Sequence, residues 1–379
     1  MLLVIANGVA HGSRLADALA DSLPGGLTYT VVADQRLVSS ESQALNGANA
    51  VHAPSLAPRS VWQISSISRL REYVRLRRAL ETSALRHTSS RLYDEYAFLG
   101  QTLRFLTARD SVSETTRLLV CDFDRPAYSY PWVWACKRIG IPTVTAVHGT
   151  PAAATYLPVL ADATLAWGQV QHGWFARLSP ATRVLITGRP EIESRATVSP
   201  VILRVVICHS REELSQSEVA RLVKLVESCR SASVGCVLRL HPSSTEADGT
   251  GWNVIAAGLV KDEAAGRIPF AQSLQGGDLV VGISTSALVD GLLAGHPVVG
   301  LADFERVLPP DVAAITELSR EHPLEGDSLR KLSPQYLGAL AALSHDLVQS
   351  VGEASRRHVR RELEAIAFGR DGCPAPPIT

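Results

Sequence analysis

The stretch DLVVGISTSALVDGLLAGHPVVGL, Asp278 to Leu301, decides the fold. Leu279 to Ile283 is an apolar run too short for a helix and reads as a strand buried on both faces. Ser284-Thr285-Ser286 is a small turn rich in hydroxyls, and the helical spacing after it ends at Gly295. Pro297 to Leu301 is then a second buried strand. Strand, tight turn, helix and strand make the unit from which parallel sheets are built.

The same alternation extends in both directions. Upstream, the pattern predicts a strand over Leu203 to Cys208, a helix over Gln216 to Cys229 and a strand over Gly235 to Leu240, before the polar loop Ser243 to Gly251. Earlier still it predicts strands over Met1 to Asn7, Thr28 to Ala33, Leu118 to Phe123, Thr143 to His148, Thr164 to Trp167 and Val184 to Thr187, with a helix ending at Arg138. Periodicity lapses between Glu191 and Pro200, which reads as a linker. The expectation is an α/β protein of two tandem Rossmann-like domains. Residues 1–192 form the first, with a helical insertion near 60–110, residues 200–335 form the second, and 336–379 are C-terminal helices and a tail.

At 379 residues the chain has room for two such cores. Apolar residues at 46% and charged residues at 20% exclude a disordered chain, and 37 basic residues against 37 acidic ones remove the surplus that bulk nucleic acid demands of a partner. The Arg-rich run Arg69 to Arg78 reads as a solvated helix face that leaves room for peripheral association with an anionic acceptor or lipid. None of the six cysteines forms a CxxC pair, and no run of 18 apolar residues occurs. These features predict a soluble cytoplasmic protein, with the inner face of the membrane as its alternative station.

Chemistry concentrates at strand ends. Ser284, Thr285 and Ser286 at a helix start offer hydroxyl and backbone N–H donors to a phosphate, and Asp290, four residues on, could accept from ribose hydroxyls. Arg239 and His241 close one strand of the second half, and His148 closes one of the first. An imidazole there suits a base that takes a proton from an attacking hydroxyl (His148) or a donor to a departing phosphate (His241). Arg189 and Arg211 are candidate phosphate clamps. Gly8 and His11, in the turn after the first strand, are candidate acceptor contacts. Asp122-Phe123-Asp124 puts two carboxylates on one strand face, as a metal site would, but reads as a loop or acceptor element; no metal and no cofactor is expected.

The run Asp290-Gly291-Leu292-Leu293-Ala294-Gly295-His296-Pro297-Val298-Val299 resembles the donor-nucleotide element of GT-B glycosyltransferases, with Asp where most of that superfamily has Glu. Arg239-Leu240-His241-Pro242 and His148-Gly149-Thr150-Pro151 are similar to motifs of the CDP-glycerol glycerophosphotransferases. The His-Pro element followed by a Ser-rich turn also resembles bacterial polysialyltransferases. The ordered set runs from about Thr143 to Leu301. Three departures stand out: Val147 in place of an aromatic, Ala152-Ala153-Ala154 after the first motif, and Gly282-Ile283-Ser284 in place of Asp-Tyr-Ser.

The resemblance implies a metal-independent GT-B transferase. Its donor would be a nucleotide-activated sugar or polyol phosphate, CMP- or CDP-linked, and its acceptor a hydroxyl of a saccharide or lipid-linked molecule in surface-polysaccharide or glycolipid synthesis. His148 and His241 would be catalytic, while Arg239, Pro242, Ser284, Thr285, Ser286, Asp290, Arg189 and Arg211 would hold the donor. Gly8, His11, Gly149 and Thr150 would face the acceptor. Two alternatives use the same scaffold, a nucleotide-sugar epimerase and a non-catalytic sugar-nucleotide binder.

Overall fold

Aliphatic strands without internal charge can be buried on both faces only if helices cover both, and a parallel sheet supplies that arrangement. The computed structural model describes residues 2–6, 29–33, 116–124, 129–210, 212–241, 244, 251–262, 268, 270–322 and 329–368. Its strands are β1 (Leu2–Ala6), β2 (Tyr29–Ala33), β3 (Leu118–Cys121), β4 (Thr143–Ala146), β5 (Ala163–Ala166), β6 (Arg183–Ile186), β7 (Arg204–Cys208), β8 (Gly235–Arg239), β9 (Val260–Lys261), β10 (Asp278–Gly282) and β11 (Val298–Gly300). They form one sheet of order β2-β1-β3-β4-β5-β6 and another of order β11-β10-β7-β8-β9. The second sheet is parallel throughout.

Contacts divide the chain into two compact units. One comprises Met1–Ala146, Pro158–Leu165 and Val359–Thr379, and the other Val147–Leu157 and Ala166–His358. The aperiodic stretch Glu191 to Pro200 is bonded into the second unit: Ala196 N donates to Leu293 O at 3.1 Å and Ser199 N to Gly295 O at 3.1 Å. The expected helical insertion near 60–110, the turn carrying Gly8 and His11, and the tail from 369 lie outside the described residues.

In the first unit, the helix Tyr130–Arg138 begins with Pro131 in its first turn, where a missing N–H costs nothing. Its Trp132, Val133, Ala135 and Cys136 pack with Leu119 and Cys121 of β3. Asp124 serves the backbone here, since its Oδ2 accepts from Leu160 N at 2.6 Å and Ala161 N at 2.8 Å. Burial raises its pKa, and those N–H donors work in the opposite direction. Asp124 of the Asp-Phe-Asp stretch is thus tied to the loop Leu160-Ala161.

In the second unit every residue of β10 is buried. Its apolar side chains contribute roughly 1.5–3 kcal/mol each. Asp278 opens the strand, receiving Arg204 Nε at 2.8 Å and Nη2 at 2.6 Å, so the central strands start in register through a two-pronged ion pair. Tyr336, on the helix Pro334–Leu347, donates from Oη to Val298 O of β11 at 2.7 Å.

Candidate functional site

From β7 the chain crosses to β8 on one side, whereas β10 pairs with β7 on the other. The order therefore reverses between β7 and β10, and in open parallel sheets ligands bind outside the carboxyl ends of the strands at such a reversal. Here those ends carry His209 and Ser210 after β7, and Ile283 to Ser286 after β10.

Several expected residues meet in this unit. Gly282 closes β10, and a Cβ there would stand 2.5 Å from Thr285 Cγ2, so only glycine lets the hydroxyl-rich turn fold back on the strand end. Thr285 Oγ1 accepts from Ala287 N at 3.3 Å at the start of the helix Ala287–Leu293. Ser286 occupies the N-cap position but makes no side-chain capping bond, so its hydroxyl is not used to start the helix. Ser284 Oγ donates to Glu212 Oε1 at 3.1 Å. Glu212 in turn receives Arg306 Nη1 at 2.7 Å, which balances the carboxylate beside the serine.

Arg306 also clamps Glu218 through Nε at 2.8 Å and Nη2 at 2.6 Å. Glu218 is fully buried at the start of the helix Gln216–Ser231, where it and Ser215 cap each other's backbone N–H. Burial works to raise the Glu218 pKa, but Arg306 and the N–H groups of Ser215 and Asp303 hold it below the usual range. The loops after β7, β10 and β11 are thereby tied together by Glu212, Glu218 and Arg306.

Arg189 and Asp290, distant in sequence, form an ion pair at 2.5 Å. Arg189 Nε also donates to Glu191 Oε1 at 2.8 Å, and its guanidinium lies 4.3 Å from the centre of the Trp167 ring. Burial opposes the Arg189 charge but is outweighed by the two carboxylates, and its pKa is raised. Trp167 is held by Gln171, whose Oε1 accepts from Trp167 N at 2.9 Å and whose Nε2 donates to Asp311 Oδ2 at 2.8 Å.

Other expected residues sit differently. The Arg239 side chain reaches Asp262 Oδ2 at 2.8 Å and Ile268 O at 3.2 Å, and lies over Phe270. His241 is exposed, and its backbone N faces His209 Nδ1 at 3.5 Å. His209 is buried edge-on against Trp252, with 5.0 Å between ring centres. His148 follows β4 in sequence, yet His148, Gly149 and Thr150 belong by their contacts to the second unit. His148 Nδ1 lies 3.3 Å from the hydroxyl of the buried Tyr156. His296 is half-buried, and burial lowers its pKa. Gly8, His11, Arg211 and Pro242 lie outside the described residues.

Sequence reasoning passed over His209, Ser210, Glu212, Trp167, Glu191 and Arg306. His209 and Ser210 carried a usable signal, since they directly follow the first strand of the second sheet. Ser210 is 4% exposed, and its Oγ has no hydrogen-bond partner among the described residues.

No protein-family model and no curated protein matches the sequence. Among solved structures, the chain is similar to CalG4, the calicheamicin glycosyltransferase, at 14% identity and a TM-score of 0.51, covering 98% of this chain and 99% of that one. It is similar to the glycotransferase of kitacinnamycin at 14% identity and a TM-score of 0.53, covering 97% and 98%. A UDP-GlcNAc 2-epimerase from Neisseria meningitidis, bound to UDP-GlcNAc, aligns at 12% identity and a TM-score of 0.52, covering 96% and 100%. The likeness is one of fold: the chain has the Rossmann-like α/β architecture of GT-B proteins. No described helix is long and apolar enough to cross a membrane.

Proposed function

We propose that the chain is a nucleotide-sugar-dependent transferase. The nucleotide phosphates rest at the carboxyl ends of β7 and β10, and a sugar or polyol phosphate passes to a hydroxyl acceptor in surface-polysaccharide or glycolipid synthesis. The observation that carries this reading is the strand reversal with the unpartnered buried hydroxyl of Ser210 at its edge. The Ser286 side chain makes no capping bond, and Ser210 Oγ is buried without a partner among the described residues. A buried hydroxyl left unpaired costs about 1–3 kcal/mol, and a ligand oxygen placed there removes that cost. The motif order shared with CDP-glycerol glycerophosphotransferases and bacterial polysialyltransferases supports a cytidine-linked donor.

A second reading, epimerisation of a nucleotide sugar, is supported by the similar extent of likeness to the UDP-GlcNAc 2-epimerase, which is bound to UDP-GlcNAc. The two separate in one experiment. The protein is incubated with CMP-, CDP- and UDP-linked sugars, with and without an oligosaccharide acceptor, in buffer containing EDTA, and the products are followed by NMR. The transferase reading expects nucleotide release that depends on acceptor and persists in EDTA, since hydroxyl and backbone N–H donors at the strand ends meet the leaving-group charge. An epimerised sugar formed without acceptor selects the second reading. Complete loss in EDTA with rescue by Mg²⁺ contradicts the metal-independent mechanism, and inertness toward every donor leaves a binder without catalysis.

A further inference from the structure

Trp167 directly follows β5, and both of its backbone groups are bonded. Its N donates to Gln171 Oε1 at 2.9 Å, and its O accepts from Gln349 N at 2.9 Å. Gln171, on the helix Gln169–Leu178, has its amide fixed as well, since Nε2 donates to Asp311 Oδ2 at 2.8 Å. A reversed amide would set two donors against each other at Trp167 N. The buried indole, with the Arg189 guanidinium over its ring, is therefore held in one direction, and its Nε1 donates to Val147 O at 2.8 Å.

That carbonyl belongs to the residue before His148. A peptide group is planar, so holding Val147 O holds the plane that carries the N and Cα of His148. The ring end of the histidine depends on the same helix. Its Nδ1 lies 3.3 Å from Tyr156 Oη, and the buried Tyr156 ring stands edge-on to Phe175, with 6.1 Å between centres. Gln171 and Phe175 are four residues apart on that helix and share a face. One helix face thus sets both the peptide plane before His148 and the hydroxyl that meets its ring.

We infer that Trp167 is a positioning residue for His148. Through Val147 O it places the imidazole so that Nδ1 gives its hydrogen to Tyr156 Oη and Nε2 is left to accept a proton. The inference rests on the transferase reading above, which needs a base for the attacking hydroxyl. In this role Trp167 acts through His148 and not on the substrate.

The test reads the ring itself. The histidine nitrogens of the full-length protein are labelled for NMR, and the His148 signals are assigned by their loss in His148→Ala. At about pH 8.5, above the ordinary imidazole range, the ring is neutral and its nitrogen shifts report the ratio of Nδ1–H to Nε2–H forms. Wild type is expected to hold mainly the Nδ1–H form. Trp167→Phe removes the indole N–H and keeps an aromatic ring next to Arg189. It should lower the ratio about tenfold, the worth of one hydrogen bond, and leave CDP and UDP affinities by calorimetry within about twofold of wild type. Because Trp167 acts through the Tyr156 contact, adding Trp167→Phe to Tyr156→Phe should shift the ratio no further than Tyr156→Phe alone. A residue that only stabilised the fold would lower Tm and leave the ratio where it was. A folded Trp167→Phe protein with the wild-type ratio, or additive shifts in the double variant, overturns the inference. Should Trp167→Phe not fold, Trp167→benzothienylalanine, which keeps the ring shape and replaces N–H by sulfur, is judged by the same ratio. A wild-type ring mainly in the Nε2–H form overturns the inference while CDP or UDP binding leaves the nucleotide reading intact, whereas binding of neither nucleotide removes both.

Discussion

Replacing His148 by Ala is expected to lower the single-turnover rate by roughly 10²- to 10⁴-fold, the usual effect of losing a proton acceptor. The geometry adds a condition. For Nε2 to accept a proton, Nδ1 must carry its hydrogen and donate it to Tyr156 Oη, 3.3 Å away. If instead the tyrosine hydroxyl donates to Nδ1, Nε2 of the neutral ring is already protonated and cannot act as a base. Tyr156→Phe removes the acceptor that selects the productive tautomer, so it should reduce the rate in the same direction by a smaller factor. The pH–rate profile of His148→Ala should also lose the limb that rises through the imidazole pKa. A purely structural His148 would show a lowered Tm and a rate that falls only with the folded fraction. A variant that melts and turns over like wild type eliminates His148 as the base.

The second large effect is on stability. Asp311, in the first turn of the helix Pro310–Glu321, is completely buried, and its Oδ1 has no hydrogen-bond partner among the described residues. Burial pushes its pKa up to about 7, against the opposing influence of the Gln171 hydrogen bond and the Arg189 charge. In the unfolded chain an aspartate releases its proton near ~3.9. Between those values the folded protein holds a proton that the unfolded chain has lost, so stability must fall as pH rises through this window. From pH 5 to 7 the loss attributable to Asp311 is about 2 kcal/mol, the slope of about 1.36 kcal/mol per pH unit halving as the buried acid itself ionises near pH 7.

Asp303 acts with the opposite sign. Its pKa is lowered to about 2 by hydrogen bonds from Ser215 and Ser217 and by Arg221, so it favours the folded state as pH rises. The Asp311 contribution is therefore read as a difference. Asp311→Asn, which resembles the protonated acid, should match wild type below about pH 4 and exceed it by a margin that widens up to about pH 7 in urea unfolding. Parallel pH profiles for the two proteins would refute the assignment.

What the sequence disclosed and what it withheld follow from distance along the chain. Continuous apolar runs located β3, β7, β10 and β11 to within a few residues, because burial on both faces leaves nothing else for such runs to do. The two-residue β9 and the short helices Trp252–Ala256 and Phe270–Ser273 are too brief to carry a period, and went unread. The turn Ser284 to Ser286 was legible as a site because its chemistry is local. Its partners Glu212 and Arg306 were not, because folding alone brings them to it. Arg189 was legible as a cation after a strand and Asp290 as a carboxylate on the helix after the hydroxyl-rich turn, but their pairing was not, and it changes what each can do. Arg239 likewise reads as an anion clamp until Asp262 is seen beside it.

The central claim is that a nucleotide binds at the carboxyl ends of β7 and β10. Calorimetric titration of CDP and UDP into wild type and into the Ser284→Ala, Thr285→Ala double variant addresses it most directly. The variant keeps Ser286, Gly282 and the helix after them while removing two hydroxyl donors. The account predicts binding to wild type and a loss of roughly 1–3 kcal/mol in the variant, with little change in Tm. Unchanged affinity in the folded variant would contradict it.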